Sequence, residues 1–218
     1  MRQGFFRYVS VVVLAFLAPI AAKAEAVSFD TGWKHQKFSL FSRNSYGYEG
    51  RNLSIGSDGS VSLIYKPLPE TAWGSQSAAW SWAVERSVPA TDLRLKGGDD
   101  RNIALYAVFL PRAEAERLRG AKISTLLGNE AVRVLVYVWG GSHRRGAQLD
   151  SPYLGARGKT VVLRGAGTGA HSERVDLAAD YARAFGGTAE ALVGLAVSAD
   201  SDDTASRIAA RLSDLQVK

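Results

Sequence analysis

Two eight-residue segments constrain this chain most: Ile103 to Leu110 (Ile-Ala-Leu-Tyr-Ala-Val-Phe-Leu) and Val132 to Trp139 (Val-Arg-Val-Leu-Val-Tyr-Val-Trp). Each is apolar on both faces of an extended strand and rich in β-branched or aromatic residues, which predicts a central strand of a sheet. Around them strict alternation prevails. Val61, Leu63 and Tyr65 alternate with Ser60, Ser62 and Lys66 between Asp58-Gly59 and Pro67, the pattern of a half-buried strand bounded by turns. Phe38 to Phe41 and Leu53 to Ile55 read as shorter strands, and Ala78 to Val84, Thr160 to Arg164, Leu192 to Ala199 and Ile208 to Val217 as further ones. That makes about eight or nine strands at sandwich spacing, so the expected fold is mainly β, two packed antiparallel sheets.

Helical signals are sparse. Leu177, Tyr181 and Phe185 recur every fourth residue within Val175 to Phe185, and Gly186-Gly187 follows as a stop. Arg112 to Arg119, opening after Pro111 and closing at Gly120, predicts a second short surface helix. The run from Gly165 to Gly169 reads as a loop.

The N-terminus has the layout of a secretory leader. Arg2 and Arg7 precede an apolar run from Tyr8 to Ala18 that is too short to span a bilayer, and Ala22-Lys23-Ala24 places small residues at a cleavage site. Residues 1–24 are therefore expected to be removed outside the cytoplasm, leaving residues 25–218 as one periplasmic or secreted domain with no membrane span. Of the 27 basic side chains three lie in the leader, so the mature part keeps 24 against 21 acidic ones, an excess of +3. So small and scattered an excess argues against a nucleic-acid partner, and Arg144-Arg145 reads as a solvated pair.

Candidates for chemistry are few. The chain has no cysteine, which excludes disulfides and thiolate metal sites. His35, His143 and His171 stand far apart, with no second ligand at metal spacing. Nucleophile elbow, P-loop and dinucleotide fingerprints are absent; Gly165-Ala166-Gly167-Thr168-Gly169 has the wrong spacing. Carboxylates collect at strand ends: Asp99-Asp100 before one central strand, Asp200, Asp202 and Asp203 after another. These five could supply oxygen ligands to a structural calcium, or could simply bond the local backbone in turns. Trp80 and Trp82, two apart, must share one strand face, as core or as a ligand platform.

The strings Trp80-Ser81-Trp82-Ala83-Val84, Lys96-Gly97-Gly98-Asp99-Asp100-Arg101, Tyr137-Val138-Trp139, Ser151-Pro152-Tyr153, Glu173 to Gly186 and Gly194 to Thr204 together resemble the bacterial family DUF3047, a domain of unknown function. The resemblance implies an exported jelly-roll sandwich similar to galactose-binding-like and carbohydrate-binding modules, and brings no activity and no assigned residues. On that basis the expected function is non-catalytic binding of a saccharide or envelope glycan by loops carrying Trp139, His143, Tyr153 and Arg157. A hydrolase or lyase using Asp99, Asp100 or Asp202 as acid or base is the rival. An interaction module of an envelope complex, which requires a broad exposed apolar patch, is the third reading.

Overall fold

A computed structural model describes residues 24–37 and 43–218. The expected leader, apart from Ala24, and the expected strand Phe38 to Phe41 lie outside the described residues. Among those residues no helix is long and apolar enough to cross a membrane.

Thirteen strands form among them: β1 (Glu25–Ala26), β2 (Lys34–Lys37), β3 (Ser45–Glu49), β4 (Asn52–Asp58), β5 (Val61–Pro67), β6 (Ser77–Arg86), β7 (Arg101–Leu110), β8 (Arg133–Trp139), β9 (Gln148–Ser151), β10 (Gly155–Arg164), β11 (Gly169–Asp176), β12 (Ala191–Asp200) and β13 (Arg207–Val217). They build two sheets, one ordered β11-β6-β13-β4-β3 with β1 on β13, the other β2-β5-β12-β7-β8-β10-β9. The chain passes from sheet to sheet between β4 and β5, β5 and β6, β6 and β7, and at each step from β10 to β13, a winding of jelly-roll type. The expected mainly-β, two-sheet sandwich is what forms. One pairing departs from the antiparallel expectation. β10 runs parallel to β8, because β9 turns the chain back at the sheet edge before β10 begins.

The two doubly apolar segments are β7 and β8, adjacent in the middle of the seven-stranded sheet. Alternation sends Leu135, Tyr137 and Trp139 inward and Val134 and Val136 outward. Trp80 and Trp82 meet the inward set: their rings touch edge-on at 5.4 Å, Trp80 lies 5.7 Å from Tyr137, and Trp82 lies 5.7 Å from Trp139. Both tryptophans are core, each only 2% exposed. Burying an indole of this size contributes roughly 4–6 kcal/mol by area, which is why the pair settles between the sheets.

Three α-helices decorate the sandwich: α1 (Arg112–Arg117), α2 (Ile123–Leu127) and α3 (Leu177–Phe185). The first and third fall on the expected segments. α3 starts later than expected because Asp176 ends β11 and caps the helix, its carboxylate accepting from Ala179 N–H at 2.9 Å. The turn of α2 has too few residues to show a helical period, and no side chain caps its start. Gly169, expected in a loop, opens strand β11. Arg145 is exposed, as expected of a solvated pair, and also donates to Leu163 O and to the buried Glu173 carboxylate, which Arg164 grips from the other side at 2.7 Å.

Candidate functional site

A cleft of about 440 Å³ opens on the outer face of the seven-stranded sheet. Its floor is a consequence of register. Thr160, Val136, Tyr106 and Ala196 are Cα partners in one row across β10, β8, β7 and β12, and Val134 pairs with Val108 in the row beside it. All six line the cleft. Ile123 and Leu127 of α2 form one wall, Leu93 another, and Pro152 to Leu154, in the turn after β9, a third. The outward side of two strands that are apolar on both faces is thus only partly covered, and the uncovered part is this floor.

The polar end of the cleft forms where β12 finishes beside the beginning of β7. The strands are antiparallel, so the Asp200 to Asp203 run is delivered to the Asp99-Asp100 run, and Asp200 is the direct partner of Arg101. Between Ser198 and Asp200 the register slips by one residue. This irregularity reverses the alternation at the start of β7, so Arg101 and Tyr106, five residues apart, share the outer face. Arg101 is 9% exposed. Its Nη1 donates to Asp99 Oδ2 at 2.7 Å and lies 3.1 Å from Asp200 Oδ2, and its Nη2 donates to the Tyr106 hydroxyl at 3.0 Å. Tyr153 closes the group from the opposite wall by donating its hydroxyl to Asp99 Oδ1 at 2.9 Å. Two buried atoms there have no hydrogen-bond partner, Arg101 Nε and Asp200 Oδ1.

Carboxylate crowding dominates the electrostatics. Burial pushes the Asp200 carboxyl up to about 8; Arg101 pulls it down, but the neighbouring Asp202 and the charge of Asp99 hold it up. Asp203 moves the same way, by desolvation first and then by the charges of Asp202, Asp100 and Asp99. Asp200 is therefore largely a neutral acid at pH 7, a proton donor at the edge of an apolar cleft. Asp100 acts as a structural clamp. Fully buried, it accepts from Thr204 N–H at 2.8 Å, from the Thr204 hydroxyl, and from Asp203 N–H at 3.3 Å, fastening the turn after β12. One oxygen each of Asp100, Asp202 and Asp203 lie within 4.8 Å of one another, close enough to share a hard cation. The five aspartates singled out from the sequence do converge.

The four residues expected to bind ligand are not brought together. Tyr153, 55% exposed, lines the cleft. Arg157 stands behind the wall, donating to Leu127 O at 2.7 Å and Asn129 O at 3.1 Å, and so braces the end of α2. His143 lies 3.2 Å from Asp92, beside Leu93. Trp139, expected on an exposed rim, is 2% exposed and packs between Trp82 and His171, so it offers no ring face to a ligand. The reason is its place in the alternation, two residues after Tyr137. Neither Arg101 nor α2 is among the candidates picked out from the sequence; the one signal for Arg101 is a charge at the start of a strand that is apolar from Ile103 onward. On the outer face of the other sheet, two depressions of about 450 and 360 Å³ lie open to solvent, lined mainly by Ser, Gly and Ala around Arg211.

Against protein-family models the sequence matches "Protein of unknown function (DUF3047)" over residues 31–216, most of the chain. The chain belongs to DUF3047. No curated protein matches it. Among solved structures, this DUF3047 member is similar to the xyloglucanase domain of NopAA, a type three effector from Sinorhizobium fredii, in complex with cellobiose, at 11% identity over 88% of this chain and 97% of that one, TM-score 0.46. A loop-swap mutant of Necallimastix patriciarum Xyn11A matches at 10% identity over 89% and 94%, TM-score 0.47. The K1 cleaved adhesin domain of Lys-gingipain from Porphyromonas gingivalis W83 matches at 11% identity over 90% and 98%, TM-score 0.39. Likenesses this distant speak to neither ligand nor activity.

Proposed function

We propose that this DUF3047 protein is an exported binding module whose cleft holds an amphipathic saccharide-type ligand. The observation that carries this reading is the join between an aliphatic floor and a dense set of carboxylate acceptors within one cleft. Sugar hydroxyls would donate to Asp99, Asp202 and Asp203, and an alkyl or other apolar body would lie over Val108, Val134 and Val136. A bare glycan fits less well, because the tryptophans that could stack on it are in the core. Removal of the leader in the periplasm belongs to the same reading.

Calorimetric titration of the purified mature protein with octyl glucoside, glucose and octanol tests it. Octyl glucoside should bind at least about tenfold more tightly than either of its halves, since it alone engages both the floor and the acceptors. Leu127→Glu in the wall and Tyr153→Ala at the lip should each weaken it. Absence of binding, or binding indifferent to both substitutions, would refute the reading.

The buried Asp200, its carboxyl pushed up beside Asp202, favours one second reading, a hydrolase or lyase with Asp200 as proton donor. Turnover of an aryl glycoside or of an envelope polysaccharide, abolished by Asp200→Asn, would establish it. The interaction-module reading lacks its required feature: among the described residues the large exposed apolar side chains are Leu95 and Tyr153.

A further inference from the structure

We infer that the polar end of the cleft is a cation subsite, and that a protonated amine on the ligand is its occupant. The inference rests on the cleft reading above and specifies the chemistry of the head group. Five carboxylates converge there, Asp99, Asp100, Asp200, Asp202 and Asp203. Two cations face them: Arg101, already bonded to Asp99 and Asp200, and Lys96, whose Nζ sits 5.6 Å over the Tyr153 ring at the lip. Even with Asp200 neutral, Asp99, Asp100, Asp202 and Asp203 set four negative charges against two positive ones, an excess of two.

Asp202 and Asp203 are exposed, whereas Asp99, Asp100 and Asp200 are buried, and buried carboxylates are held together only when positive charge or donors compensate them. Here the compensation is incomplete. Asp200, 4% exposed and part of the cleft lining, leaves Oδ1 with no donor. A primary ammonium has three donors and one positive charge. Placed at this end of the cleft it would supply Asp200 Oδ1 with the missing donor and leave two more for Asp202 and Asp203, while the rest of the ligand covers the aliphatic floor. A hydroxyl supplies a donor without the charge. A carboxylate would add to the negative charge.

Titrating the mature protein at pH 7 with octylamine, octanol and octanoate, which share one tail, isolates the head group. Octylamine should bind about tenfold more tightly than octanol, with octanoate weakest, since hydrogen bonds between charged partners exceed neutral ones by about that factor. Asp202→Asn, at an exposed position, and Asp200→Asn should each lower the ratio of octylamine to octanol affinity, and an unchanged far-ultraviolet circular dichroism spectrum at the titration temperature separates loss of the subsite from loss of folding. Equal binding of octylamine and octanol would overturn this inference and leave the cleft reading standing. Failure of all three to bind would remove the cleft reading itself. The same charge could come from a hard metal ion on Asp100, Asp202 and Asp203, so calcium chloride is titrated alone: micromolar binding that abolishes the preference for amine over octanol assigns the subsite to a metal and overturns the amine.

Discussion

Removing the Arg101 guanidinium tests whether the polar end of the cleft is built around it. Arg101→Met keeps the length of the side chain and deletes the charge, together with hydrogen bonds to Asp99 Oδ2 at 2.7 Å, Asp99 O at 3.0 Å and the Tyr106 hydroxyl at 3.0 Å, and the ion pair with Asp200 at 3.1 Å. Asp99 and Asp200, 3% and 4% exposed, are then left without their counter-charge. Breaking a buried ion pair from one side costs about 3–5 kcal/mol; the lower end applies here because Asp200 holds a proton readily and sheds part of the penalty. A loss of about 3 kcal/mol at pH 7 corresponds to a Tm lower by roughly 6–12 °C for a domain of this size. Urea unfolding followed by tryptophan fluorescence is a suitable assay, because all five tryptophans are buried in the core. Without the guanidinium the buried cluster lacks the cation that offsets its negative charge, so the deficit should be smallest in acid, where that charge is neutralised, and larger at about pH 8. A loss under about 1 kcal/mol at pH 7, or a loss of the same size at about pH 4 and pH 8, would show that Arg101 does not hold this cluster.

The titration of Asp200 and the turn at Gly141 give two further expectations. Asp200 binds its proton more tightly in the folded protein, to about pH 8, than as an ordinary carboxyl in the unfolded chain; its stabilising contribution is therefore full below about pH 4 and is lost as pH climbs towards 8. Asp200→Asn imitates the protonated form at every pH, so thermal denaturation should show the variant gaining on the parent protein between about pH 5 and pH 8, and a flat difference would contradict this. At Gly141, φ is +74° and an added Cβ would sit 2.5 Å from Leu93 Cγ. Gly141→Ala should destabilise by about 2–4 kcal/mol through backbone strain and overpacking, and should weaken octyl glucoside binding because Leu93 forms a wall of the cleft; unchanged binding at full occupancy would separate Leu93 from the ligand.

Much of the sandwich is legible along the chain. Alternation in Val61 to Tyr65 and the doubly apolar runs at Ile103 and Val132 locate β5, β7 and β8, and the fourfold spacing of Leu177, Tyr181 and Phe185 locates α3. These signals are local: each depends on which side of a single element faces apolar surroundings. Edge strands such as β2 and β9, four residues each, are too short for a period to register. The candidate site is legible only in part. Aspartates at strand ends can be picked out, as can Tyr153, yet an exposed rim is the wrong place for Trp139, whose own alternation with Tyr137 sends it inward.

The class of fold is therefore written in the order of residues, because a period of two and a period of three to four are properties of consecutive side chains. Three features of the cleft come from long-range pairing instead. β12 ends beside the start of β7, a one-residue slip turns Arg101 towards Tyr106, and α2 leaves the outer face of the sheet open between its wall and the turn at Tyr153. The first two are facts of register between segments about a hundred residues apart, the third of how α2 packs on the sheet, and nothing in the order of neighbouring side chains specifies them.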